Sequence, residues 1–108
     1  AIDRLKAERA LDDRRVADAL ARTSTTLKRR GRLRVRRELE QAGIAPALAR
    51  EATESAFSEV DGDALIEAAL ARRLRGGRPI EDAREFQRLY RFLVAQGFES
   101  DRVLALLG

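Results

Sequence analysis

Residues 36–49, RRELEQAGIAPALA, and residues 90–103, YRFLVAQGFESDRV, decide the fold when they are set against each other. At an offset of 54 they match Leu39 with Leu93, Gly43 with Gly97 and Ile44 with Phe98. Each stretch reads as the end of an amphipathic helix. A glycine just past the last apolar position takes the left-handed backbone that closes a helix, and the apolar residue after it folds back on the last turn. ALAR does recur by composition alone, at 47–50 out of register. Chance would not also align the two Gly-apolar stops.

Working outward from these stops, the spacing predicts three helices in each copy. Asp12 or Asp13 can cap a first helix whose apolar stripe is Val16, Ala19, Leu20 and Thr23. TSTT at 23–26 weakens it and Gly31 marks a break. A second helix runs from about Leu33 to Ala42 and buries Val35, Leu39 and Ala42 at i, i+4 and i+7. Pro46 takes the first position of a third, with Ala49, Ala52 and Ala56 inward and Phe57 near its end.

The order then repeats. Asp61-Gly62-Asp63 opens a helix carrying Leu65, Ile66, Ala69 and Leu70, and GGRP at 76–79 breaks it. Phe86, Leu89, Tyr90 and Leu93 form the next stripe, and Ser100 is the expected cap of a last short helix with Val103, Leu104 and Leu107. DALAR at 18–22 matches AALAR at 68–72 at an offset of 50, so the loop of the second copy is four residues longer. The expected fold is all-α: tandem three-helix repeats over 11–58 and 61–108, packed as a short right- or left-handed array. Units of about 45 residues bury too little surface to stand alone, so neighbours stack. Residues 1–10 read as the tail of a preceding helix or repeat. The chain has no methionine and opens already in helical register at Ile2 and Leu5, which suggests that something preceded it.

Composition narrows the chemistry. Apolar residues make up 44% of the 108 and charged residues 37%, a balance that still supports a globular core. With no cysteine and no histidine, disulfides, thiolate metal sites and the commonest general base are all missing. Catalysis would fall to paired carboxylates, yet Glu51 with Glu54, and Asp61 with Asp63, read as helix-flank and capping acids. Asp61-Gly62-Asp63 lacks the further ligands of a calcium loop, and GGRP lacks the lysine and strand context of a phosphate loop. The expectation is a non-enzyme with no cofactor and no metal. No apolar run approaches a membrane span, so a cytoplasmic chain without a membrane partner is expected.

Charge is blocked along the chain. Arg22 to Arg37 holds eight cations and no acid; 51–67 holds Glu51, Glu54, Glu59, Asp61, Asp63 and Glu67 and no cation; Arg72, Arg73, Arg75 and Arg78 form a second basic block. The basic blocks occupy equivalent places, at the junction of first and second helices. Stacked with regular rotation, they should form one basic ridge suited to carboxylate or phosphate. The plainer alternative is a solvated face paired with the acidic block, although such pairs add only ~0 to 1 kcal/mol each.

DDRRVADALAR (12–22), RRGRLRVRRELEQAGIAP (29–46) and RLYRFLVAQGFESDRVLALL (88–107), in this order, resemble the second and third repeats of the RecX family of RecA regulators. The resemblance covers residues 10–108, with the GGRPIED loop longer than the family pattern. It implies a partner, the RecA recombinase filament, along whose groove such proteins lie, restraining recombinase activity in the setting of recombination, the SOS response and DNA repair. The partner-binding candidates are Arg29, Arg30, Arg32, Arg36 and Arg37 with Arg72, Arg73 and Arg75, on a monomer. Arg34 could equally turn to the acidic block. Single- or double-stranded DNA is a further partner open to the ridge. The alternatives are a direct DNA binder of helix-turn-helix type, for which the second helix offers only Gln41 as a base reader, and a scaffold module for another acidic protein.

Overall fold

A computed structural model describes residues 2–58 and 60–108, with side chains from Arg4 onward. Glu59 of the acidic block and the side chain of Ile2 lie outside the described residues. The chain folds as two tandem three-helix repeats, 64 × 19 × 18 Å overall. Helices α1 (Ile2–Arg22), α2 (Arg32–Gln41) and α3 (Pro46–Phe57) form the first; α4 (Gly62–Arg73), α5 (Ala83–Ala95) and α6 (Ser100–Leu107) form the second.

Each repeat closes on a core of its own. Ala17, Ala21, Val35, Leu39, Ala49, Ala52 and Phe57 make the first. Ile66, Ala69, Leu93, Phe98 and Val103 make the second, and half-buried Leu65 touches both. The matched glycines do what the alignment demanded. Gly43 and Gly97 have φ of 93° and 100°. Ile44 N–H donates to Leu39 O at 3.0 Å and Phe98 N–H to Leu93 O at 3.2 Å, the same closure at both places.

Four expectations need correction. Asp12 and Asp13 cap nothing, because α1 runs unbroken through them. Its Ala, Leu, Arg, Lys and Glu are strong helix formers. Arg4–Glu8 at 3.4 Å, Asp12–Arg15 at 4.0 Å and Arg14–Asp18 at 3.0 Å add favourable pairs along it. The buried line of α1 is Ala17 and Ala21, continuing into Ser24 and Thr25, while Val16 is 52% exposed and Leu20 38%. Ala19 and Thr23 are exposed as well. Small residues on α1 meet Ala49 and Ala52 of α3, so the helices lie close and larger side chains are left at the rim. Likewise, Ala42 is exposed past the end of α2, and Ser100 is the first residue of α6, where it matches Pro46, with Glu99 before it making no side-chain cap.

Alanine at the two closing glycines separates local strain from close approach. Gly43→Ala meets no atom within 4 Å and should lose only the ~1 to 2 kcal/mol of a left-handed side-chain-bearing residue. Gly97→Ala carries the same strain and also drives its Cβ into Arg34, so it should lose clearly more in urea unfolding. Equal losses would mean that Gly97 is not tightly approached.

Candidate partner-binding cleft

The cleft begins with the hydroxyl run that ends α1. Thr26 Oγ1 donates to Arg22 O at 2.6 Å, and Ser24 Oγ to Glu38 Oε2 at 2.6 Å. Such side chains compete with regular helical bonding, and here Thr23–Leu27 winds as a π turn. The widened turn closes through Lys28 N–H to Thr23 O at 3.1 Å and Arg30 N–H to Ser24 O at 3.0 Å. Between them Arg29 has φ of 56°, the left-handed backbone that glycine takes at the two other closures. That conformation costs an arginine ~1 to 2 kcal/mol. Its consequence is to deliver Lys28, Arg29 and Arg30 to the seam between repeats.

At the seam, α2 begins on Gly31, which has no side-chain cap. The exposed donors of a helix start need acceptors, and the second repeat supplies two. Gly31 N–H donates to Gln96 O at 2.8 Å and Leu33 N–H to Gly97 O at 3.0 Å. Arg34 Nη1 donates to Ala95 O at 3.3 Å, and Arg30 Nη1 to Gln96 Oε1 at 2.7 Å. The positive start of α2 thus faces the negative end of α5, with two cations added to the positive side. A Cβ on Gly31 would overlap the Gly97 carbonyl carbon, so side-chain-free backbone is required there. The equivalent start, that of α5, is self-sufficient. Asp82 accepts from Glu85 N–H at 2.8 Å, Glu85 accepts from Glu81 N–H at 3.1 Å, and Arg78 grips Glu85 with two bonds of 2.9 and 2.6 Å.

Beside the seam lies a cleft of about 270 Å³. The first repeat lines it with Leu27, Lys28, Arg29 and Arg30; the second with Ala69, Arg72, Phe92, Gln96 and Phe98. No carboxylate is among these residues. The Arg73 guanidinium lies 3.6 Å over the Phe92 ring, a cation behind the cleft that itself lines a separate hollow with Arg78, Glu85 and Arg88. The arrangement can hold a carboxylate or phosphate against a partly apolar floor.

Of the predicted residues, then, Arg29, Arg30 and Arg72 are brought together and Arg73 stands next to them. Arg32 is not among them. It pairs with Glu54 at 3.1 Å, lies 5.4 Å over Phe57, and lines a separate cleft of about 280 Å³ that also holds Asp61, Asp63 and Glu99. Arg36 pairs along its own helix with Glu40 at 3.4 Å, and exposed Arg37 and Arg75 do not line the basic cleft. Arg34 turns to Glu38 at 3.2 Å and to α5 rather than to the acidic block. Burial opposes charge on Glu38, but the Ser24 hydrogen bond, Lys28 and Arg34 prevail and hold its pKa below the usual range. Sequence reasoning placed Lys28 in the basic ridge without naming it as a contact, and missed Phe92 as a cleft residue; the signal there was an aromatic off the core stripe. Pairing with the acidic block is real and, among the described residues, consists of Arg32–Glu54, Arg14–Glu51 at 3.3 Å from α1, and Arg102–Asp63 from α6.

Among the described residues no group of His, Cys, Asp and Glu could hold a metal ion, and no helix is long and apolar enough to cross a membrane. Residues 12–52 match the family model for RecX, second three-helix domain. Comparisons with curated proteins and with solved structures give no match. The matched segment holds the first basic corner, the π turn and all of α2.

Two measurements probe the local chemistry. Arg29→Gly and Arg29→Ala remove the same charge, but glycine relieves the left-handed strain, so Arg29→Gly should be more stable by about 1 kcal/mol in urea unfolding. Glu85 is held down to about 2, first by the Arg78 fork and then by Glu81 N–H, against an ordinary 4.5. A depressed carboxylate stabilises the fold above its unfolded pKa, and here that contribution fades as pH falls from 4.5 toward 2. A carboxyl NMR titration should find the Glu85 midpoint near 2, returning toward 4.5 in Arg78→Ala.

Proposed function

From the match of residues 12–52 to the second three-helix domain of RecX, we propose that the chain is a RecX-like protein that binds a RecA recombinase filament through the basic cleft and restrains its recombination activity. On this reading it acts as a monomer, in recombination and DNA repair, in the cytoplasm where such filaments form. Lys28, Arg29, Arg72 and Arg73 make the main contacts, with Arg30 at the inner wall. Arg36, Arg37 and Arg75 extend the basic surface outside the cleft, and Arg32 contributes where Glu54 releases it.

The observation that carries the proposal is the acid-free cleft furnished by both repeats. A filament offers repeated acidic and phosphate groups, and a two-sided cationic site reads such a surface better than one isolated patch. Direct helix-turn-helix reading of a duplex has less support. That mode presents the start of the second helix to base edges, whereas Gly31, Leu33 and Arg34 are turned to α5. Stacking faces for free bases are scarce too: Phe57 and Phe98 are buried, and Phe92 is covered by Arg73.

Binding to naked single-stranded DNA, naked duplex and a RecA–DNA filament, each across a salt series, separates the readings. The filament should bind tightest, with affinity falling as salt rises. Arg29→Ala combined with Arg72→Ala should weaken it by about tenfold or more. Tight, sequence-selective duplex binding without RecA would overturn the proposal in favour of a DNA reader, and indifference to all three ligands would favour a scaffold module.

A further inference from the structure

We infer that the contact between the start of α2 and the end of α5 is a clasp that locks the two repeats into one body, and that the basic cleft exists only while it is closed. Gly31, Gly97 and Arg34 are then positioning residues for the cleft, and Arg30 serves clasp and wall together. This goes beyond the proposed function by giving part of the basic stretch an internal task; only its binding consequence rests on that function.

The two cores share little beyond Leu65, so apolar packing alone leaves the repeats weakly joined. What crosses the seam on the cleft side is a pair of backbone bonds, Gly31 to Gln96 and Leu33 to Gly97 at 2.8 and 3.0 Å, flanked by the side-chain bonds of Arg30 and Arg34. Those bonds form only because neither glycine carries a Cβ at the point of approach. Gly31 has an ordinary φ of −78°, so its glycine is required by proximity and not by backbone conformation. The clasp also gives a physical reason for the like charges gathered at the start of α2. Arg30 and Arg34 bind the carbonyl end of α5, where cations are favoured. Lys28 and Arg29, just before the clasp, and Arg72, across the seam from them, are what the clasp holds together.

With no native cysteine, Ala47→Cys and Ala71→Cys, both exposed and outside the cleft, give clean spin-label sites, one on each repeat. Pulsed electron resonance should find one narrow distance in the otherwise unchanged chain. Gly31→Ala keeps every cation, and should broaden that distribution and weaken filament binding by about tenfold through lost preorganisation. Gly43→Ala, which strains a glycine far from the clasp, should do neither. Should Gly31→Ala fail to fold, as far-UV circular dichroism would tell, Arg34→Ala loosens the clasp without overlap and should broaden the distribution in the same direction. An unshifted, narrow distribution in the clasp variants overturns the inference, and so does a broadened one with filament affinity intact. If the unmodified chain does not bind filament, the proposed function fails, while the distance measurement still decides the clasp.

Discussion

Helix α2 starts without a cap of its own, and two of the peptide groups that need acceptors there, those of Gly31 and Leu33, find them on another repeat. This borrowed capping is the constraint on which the remaining geometry depends. It requires glycine at 31 and 97, fixes the direction in which α2 meets α5, and sets Lys28 to Arg30 beside Arg72. The uncapped helix start and the open carbonyl end satisfy each other, and their opposed partial charges favour the same approach. The start of α5, closed by Asp82, Glu85 and Arg78, has no such need and seeks no neighbour.

The concentration of arginines at 28–37 therefore has several causes. Arg30 and Arg34 neutralise a helix end and share Glu38. Arg32 and Arg36 pair with Glu54 and Glu40. Lys28 and Arg29 remain for the cleft, and Arg29 holds a backbone conformation unfavourable to any side chain larger than glycine's. A strained residue beside a π turn is a pattern associated with functional segments.

Much of the fold was legible in the sequence because helix endings are written locally. Gly43-Ile44 and Gly97-Phe98 declared two equivalent closures, and Asp61 and Pro46 two starts. The face of α1 was misread for a physical reason: periodicity favours large apolar residues, but a close α1–α3 contact is made by the small ones, Ala17 and Ala21. The cleft was half legible. Blocked charge placed cations at two equivalent junctions, but which of them turn inward depends on Gly31 meeting Gly97, a contact between residues 66 positions apart that no local pattern encodes.

Amide hydrogen exchange at Gly31 and Leu33 tests the borrowed capping most directly. The first amides of a free helix start have no intrahelical acceptor and exchange readily. Protection of both, approaching that of Val35 or Leu39 in the core, is expected of the seam described above. Exchange of these two amides at the rate of an exposed loop would contradict it.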